Sequence, residues 1–387
     1  MIKMNEKIKD VLINLATGIT GLIPKKKNLW LFGAWQARLY ADNSKYLFEY
    51  INSNHQEINA VWLTREKSVV AEVRARGYKC YTMSSLKGLW FAARAEAVFE
   101  TEGDWDVSPI INKNKTKVIQ LWHGIAGKAA SWKDDKGNDL WSEKVAKRFQ
   151  AYYWMASSDK YIDVLSGITT APRERFYVTG YPRNDSFVTK PKNEYFEKLM
   201  VQSNQCKWII YMPTHRNFGK ETINLGEFKR VDAELQKRKI MMVYKPHFHE
   251  LKNLLPYEGE FHNIILAKDQ KKYADVYSYL HYFDLLISDY SSVAYDFLCA
   301  KRPIVLFPYD IEHFRKADAG LFDYYEEIPA GPFCYTWDEV LENVSALLEK
   351  DSWEEKREFC RKTFHPFDDG KNSERVYLTV KNDILNR

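Results

Sequence analysis

The chain has few cysteines and no close pair among them. Cys80, Cys206, Cys299, Cys334 and Cys360 are odd in number, widely spaced and without a CxxC, which argues against a disulfide framework, a zinc site or thiol redox chemistry and fits a reducing cytoplasm. The glycine patterns GxGxxG, GxxxxGKS/T and GxSxG are also missing, so nicotinamide, P-loop and α/β-hydrolase chemistry lose support. No internal repeat or low-complexity tract occurs. The basic excess is small: 57 Lys and Arg against 52 Asp and Glu leave +5, without the clustering that coating a nucleic acid requires. A long apolar run is absent as well. Ile8, Val11, Leu12, Leu15, Ile19 and Leu22 share one helical face, but Asp10 and Asn14 interrupt a stretch shorter than the ~20 apolar residues of a membrane span. No small-residue cleavage site follows, so a secretory signal is not expected.

What is present is a globular composition of 387 residues, 45% hydrophobic, a length that favours two domains over one. Aromatic residues reach 15%, which suits large cores as readily as sugar-binding surfaces. Residues 1–27 read as an amphipathic segment ending in Lys25, Lys26 and Lys27, suited to an anionic cytoplasmic leaflet at about 1 kcal/mol per lysine. A helix packed on the protein's own surface fits that pattern equally.

From Asn28 the chain alternates short apolar runs (LWLF, AVWL, AVFE, VIQL, YYWMA, FYVT) with helical patterns, the signature of a parallel sheet covered by helices. A polar run at 187–206 separates this series from a second one: WIIYM, IMMVY, LLIS and IVLF. Two Rossmann-like domains are therefore expected, over residues 28–190 and 205–340, with helices at 341–387 packing back on the first. Helices are expected near 273–282 and from Ser291.

Ligands of such sheets bind outside the carboxyl ends of the strands, so the residues following each apolar run are the candidates. In DLLISDYSSVAYDFL (284–298) a buried strand runs into Asp289, Ser291 and Ser292 where a helix begins. Hydroxyls and free N–H groups there make an anion site, although simple helix capping explains the same residues. Two neighbouring junctions add Arg216 (YMPTHRN), Lys245 and His247 (VYKPHFHE), cations suited to a diphosphate if the three strands share one sheet. In LWHGIAG of the first half, His123 follows a strand and precedes Gly124, which leaves room for a substrate, and its imidazole could take a proton from an attacking hydroxyl. Asp104-Trp105-Asp106 has the DxD spacing of a metal site, a pattern common by chance, and His247 with His249 lacks further ligands. No metal is expected.

Taken in order, these motifs resemble the CDP-glycerol glycerophosphotransferase family of teichoic acid and capsule polymer enzymes. Trp122-His123-Gly124 is similar to its WHG element, Gly180 to Asp185 to GYPRND, Pro213, Thr214 and Arg216 to PTxR, Lys245-Pro246-His247 to KxHP, and Asp289 to Ser292 to DYSS; Asp42-Asn43 follows the first strand as in the family. Departures are His215 where an aromatic is usual, Phe248 in place of a proline, and no acidic residue in LFGAW. The resemblance implies a GT-B fold, with the two domains facing each other across a cleft, and cofactor- and metal-independent transfer of glycerol phosphate or ribitol phosphate from a CDP donor to a lipid-linked or oligosaccharide acceptor. His123 is then the general base and His247 the pyrophosphate contact, while Gly124, Thr214, Arg216, Lys245, Asp289, Ser291 and Ser292 form the donor and phosphate site. The expected location is the inner face of the cell membrane. Alternatives are a nucleotide-sugar GT-B glycosyltransferase and a non-catalytic polymer-binding subunit.

Overall fold

The computed structural model describes residues 6–125, 143–203, 205–214, 225–246, 257, 259–317 and 320–386. The apolar runs become two all-parallel sheets. The first contains β1 (Lys26–Phe32), β2 (Asn59–Thr64), β3 (Cys80–Thr82), β4 (Ala95–Glu100), β5 (Lys117–Gln120), β6 (Tyr153–Ala156) and β7 (Phe176–Val178) in the order β3-β2-β1-β4-β5-β6-β7. The second contains β8 (Lys207–Met212), β9 (Ile240–Tyr244), β10 (Ile264–Leu266), β11 (Leu285–Ser288) and β12 (Ile304–Leu306) in the order β10-β9-β8-β11-β12. Both are doubly wound. The chain reverses direction across the sheet between β1 and β4 and again between β8 and β11, which marks two switch points where such sheets take ligands.

Each sheet is buried on its faces by helices, so its strands are nearly continuous apolar runs. In the first core Phe32 stacks on Phe99 with centroids 4.4 Å apart, and Tyr40 meets Trp62 edge to face. The second is centred on Tyr211, Tyr244, Phe228 and Trp337. Burying one such ring contributes about 1.5–3 kcal/mol. Much of the aromatic composition thus serves these two cores.

Contacts group the chain into two compact units: Met1–His123 with Trp141–Asp185 and Lys371–Arg387, and Gly124–Leu140 with Ser186–Gly370. The C-terminal helices divide between them. Trp337–Glu349, which starts with a Thr336–Glu339 capping box, places Trp337, Val340, Leu341, Val344 and Leu347 in the second core. Only from Lys371 does the chain rejoin the first unit. There both carboxylate oxygens of Asp185 accept from the N–H groups of Asn372 and Ser373 at 2.8 Å, which starts the helix Asn372–Leu378 and seats Val376 and Tyr377 beside Trp30.

Two expected helices differ. Residues 273–282 resolve into two 3-10 turns, Val276–Ser278 and Leu280–Tyr282, because the Tyr277 and Tyr279 hydroxyls are drawn to separate buried acceptors, Asp296 and the Tyr273 carbonyl. The segment after β11 is a single short helix, Val293–Phe297, continued by a 3-10 turn; Ser292 already has helical dihedrals and its side chain caps nothing.

Candidate active site

In the second unit three of the strands singled out in the sequence lie side by side. β9, β8 and β11 are adjacent, so Lys245, Thr214 and the segment Asp289 to Ser292 emerge at one edge of the sheet. Asp289 is fully buried and clamps two of these ends together: its carboxylate accepts from the Thr214 N–H at 2.8 Å and from the Thr214 hydroxyl at 2.7 Å. β11 is tied to β8 a second time by Ser288 Oγ donating to the Met212 carbonyl at 2.7 Å. Asp289 is therefore an internal brace across the switch point.

The two serines behave differently. Ser291 and Ser292 are half-buried, their carbonyls accept the first bonds of the short helix, and neither hydroxyl holds a hydrogen bond among the described residues. Simple capping is thus not their role. At the end of β9 burial pulls the Lys245 ammonium down to about 8, with no counter-charge against it among the described residues. Arg216 and His247 lie outside the described residues.

In the first unit His123 follows β5 on a strained turn. Trp122 is left-handed (φ 57°) and Gly124 has φ 123°, a region only glycine enters freely. His123 Nδ1 lies 3.1 Å from the Thr101 carbonyl, an acceptor only, so Nδ1 carries the proton and Nε2 keeps its lone pair. Burial holds the imidazole below its usual pKa, which keeps that lone pair available at neutral pH.

A buried network fixes this turn. Asn43 Nδ2 donates to the carbonyls of Leu121 (3.2 Å) and Trp122 (2.9 Å); Arg183 donates to Asp42 Oδ1 at 2.7 Å and to the His123 carbonyl at 3.0 Å. The Arg183 N–H in turn donates to Asn43 Oδ1 at 3.1 Å. Asp42-Asn43 and the Arg183 segment, noted in the sequence without a role, are the frame of the histidine.

The DxD pair does not converge. Asp104 is engaged by Lys113, Arg148 and the Tyr152 hydroxyl, whereas Asp106 accepts from the main-chain N–H groups of Thr101, Glu102 and Gln36 at 2.7, 2.8 and 2.7 Å. Asp106 thus holds the loop whose Thr101 carbonyl orients His123. Among the described residues no group of three or more His, Cys, Asp or Glu is placed to hold a metal ion.

Two doubly wound parallel sheets, one ending in a framed histidine and the other in a lysine and two serines whose hydroxyls are unengaged among the described residues, define a two-unit α/β protein of the Rossmann-like class. Residues 16–382 match the family described as CDP-Glycerol:Poly(glycerophosphate) glycerophosphotransferase, and the chain belongs to that family. It is 28% identical to the teichoic acid poly(glycerol phosphate) polymerase of Bacillus subtilis (strain 168), over 92% of this chain but 49% of the relative, so it spans about half that protein's length. The teichoic acid glycerol-phosphate transferase of Staphylococcus aureus is 25% identical, with 92% of this chain and 93% of the relative aligned. Among solved structures, that of the wall teichoic acid polymerase TagF superposes with a TM-score of 0.77 at 22% identity, covering 98% of this chain and 96% of that one.

Proposed function

We propose that the chain transfers glycerol phosphate or ribitol phosphate from a CDP-activated donor to a hydroxyl of a polymer or lipid-linked acceptor, releasing CMP. Support comes from the family, from relatives named as glycerol-phosphate transferases and polymerases, and from the chemistry of the two strand edges. In this reading the units adopt the GT-B arrangement, the first receiving the acceptor and the second the donor.

The acceptor hydroxyl gives its proton to His123 Nε2 while its oxygen forms a bond to the β-phosphorus, and the bond from that phosphorus to the bridging oxygen breaks. CMP carries away the electron pair. Lys245 and the hydroxyls of Ser291 and Ser292 hold the diphosphate oxygens at the edge that Asp289 and Thr214 keep in place, and Gly124 leaves space beside the base. Arg216 and His247 add charge to the departing CMP. Fixed positive groups and positioning supply most of such catalysis. The observation that carries the proposal is the His123 Nδ1 bond to Thr101, which leaves the other nitrogen basic.

Membrane contact belongs to the same reading. The helix Glu6–Leu22 packs through Thr17, Thr20 and Gly21, with Thr20 Oγ1 donating to the Ile110 carbonyl at 2.7 Å, and turns its apolar side outward: Val11, Leu15 and Leu22 are 65%, 62% and 86% exposed. It lies against the helix Leu86–Arg94, which exposes Leu86 and Trp90 next to Lys87. No described helix is long and apolar enough to cross a membrane. An outward apolar face flanked by Lys26, Lys27 and Lys87 suits the anionic inner surface of the cell membrane, whereas Lys25 donates to the Thr20 and Ala93 carbonyls of the protein itself.

The test is product analysis. Purified protein given CDP-glycerol or CDP-ribitol with an oligo(glycerol phosphate) acceptor should release CMP and add one polyol-phosphate mass per CMP. Acceptor unchanged in mass with either donor, or a glycosidic product from a nucleotide sugar, contradicts the proposal.

A further inference from the structure

The first unit has its own switch point, between β1 and β4, and its chemistry is not used by the reaction as written above. After β1 the chain makes a left-handed turn through three consecutive non-glycine residues, Trp35, Gln36 and Ala37, with φ of 51°, 53° and 61°. Each residue in that conformation costs roughly 1–2 kcal/mol, so the turn persists only because its surroundings hold it. The Gln36 N–H donates to Asp106 Oδ1 at 2.7 Å, and the Ala37 carbonyl accepts from the Arg65 N–H at 2.7 Å and the Thr64 hydroxyl at 2.8 Å. Gly33 completes the closure: a side chain there would begin 1.8 Å from the Asp106 carbonyl oxygen.

The turn brings Arg38 close to Arg65 at the strand ends. Both are exposed, and neither has an ion pair or a side-chain hydrogen bond among the described residues, although Glu66 and Asp106 lie near Arg65 and Glu102 near Arg38. Arg65 lies over the indole of Trp105, its guanidinium carbon 4.7 Å from the ring centroid, which orients the guanidinium face and leaves its N–H edge open. Burial, and then the nearby Arg38 charge, lower its pKa, outweighing the opposite pull of Glu66 and Asp106. Asp106 is shared: the same carboxylate fixes this turn and the Thr101 loop that orients His123. The backbone turn that carries Arg38 is therefore fixed by the same carboxylate that holds the loop of the base.

We infer that Arg38 and Arg65, with Trp105, bind a backbone phosphate of the acceptor polymer, so that the acceptor is recognised by its existing phosphodiester and its terminal hydroxyl is presented to His123. Guanidinium forks suit phosphate oxygens, and a phosphodiester one repeat back from the reacting end distinguishes a polyol-phosphate chain from an uncharged polyol. The inference rests on the transfer reading above and adds the residues that hold the acceptor.

The test is titration of the full chain, without donor, with an oligo(glycerol phosphate) hexamer, a neutral oligoglycerol of equal length and inorganic phosphate. The wild type should bind the hexamer, more weakly as salt is raised, and at least tenfold more tightly than either other probe. Arg38→Ala/Arg65→Ala should lose at least tenfold in hexamer affinity with its thermal midpoint retained, and Arg65→Lys should recover only part of it. In transfer assays the loss falls on acceptor KM rather than kcat. Equal hexamer binding by wild type and the double variant overturns the inference, as does neutral oligomer or inorganic phosphate binding as tightly as the hexamer. Because the titration needs no donor, its result is separate from whether CDP-glycerol is turned over: CMP release by the wild type together with unaltered hexamer binding in the variant sinks this inference alone.

Discussion

Arg183 donates from one guanidinium nitrogen to the main-chain oxygen of His123 at 3.0 Å and from the other to Asp42 at 2.7 Å, all three within the first unit. A residue 60 positions along the chain thus sets the direction in which the histidine leaves its strand. Arg183 and Asp42 are both about 3% exposed, so removing one leaves the other charge buried and uncompensated. Arg183→Ala should therefore lower stability by roughly 3–5 kcal/mol. Arg183→Lys keeps the charge but not the fork; it should retain the fold and lose turnover, with the loss in kcat rather than in donor KM. Denaturant melts and steady-state kinetics read the two effects apart.

The Asp289 clamp on Thr214 separates brace from ligand contact. Thr214→Val removes the 2.7 Å hydroxyl bond to Asp289 and should cost about 1 kcal/mol of stability, with no more than a few-fold loss in donor affinity. Asp289→Asn also turns a donor toward the Thr214 N–H and should weaken donor binding further. Titration with CDP checks both, and a Thr214→Val protein with the larger loss contradicts the brace.

Lys245 makes donor binding depend on pH in a set direction. With its pKa lowered by burial to about 8, the side chain is an ammonium below that pH and a neutral amine above it. CDP affinity should accordingly fall as pH rises past about 8, and Lys245→Met should flatten the profile. Stability of the empty protein runs the other way: the unfolded lysine, near 10.5, holds its proton longer, so this group's burial penalty disappears between about pH 8 and 10.5. Calorimetric titration across pH 7 to 9.5 reads the first effect and melts read the second.

The outward face of the first helix can be tested without touching the fold. Leu15→Glu with Ile19→Glu places charge where both side chains are more than half exposed. Sedimentation with anionic vesicles should show the wild type pelleting and the double variant remaining in solution, and removal of residues 1–27 should have the same effect.

The sheets were legible because parallel strands buried on both faces leave apolar runs that composition alone reveals, and the second unit's strand edge followed from their adjacency. Ser291 and Ser292 could be placed from the strand-to-helix junction, whereas the length of the helix could not, since Ser292 is already helical and makes no side-chain cap. The frame of His123 was hidden for a different reason. Asp42 and Arg183 are 141 residues apart, and nothing in either segment says that it meets the other. Asp106 was visible only as half of a DxD pattern because three of its partners are backbone N–H groups, which every residue but proline carries, and the other is the Thr101 hydroxyl. Arg38 and Arg65 meet through a left-handed turn of Trp35, Gln36 and Ala37 that contains no glycine to announce it. Arg216 and His247, expected beside Lys245, lie outside the described residues.

The most direct measurement compares His123→Ala and His123→Gln with the wild type for CMP formation in a single turnover at saturating CDP-glycerol and acceptor. With Nε2 of His123 as the base, both variants should slow the transfer step by about 10²–10⁴-fold while CDP affinity stays within a few-fold. Transfer at the wild-type rate in either variant, with CDP bound normally, contradicts the account.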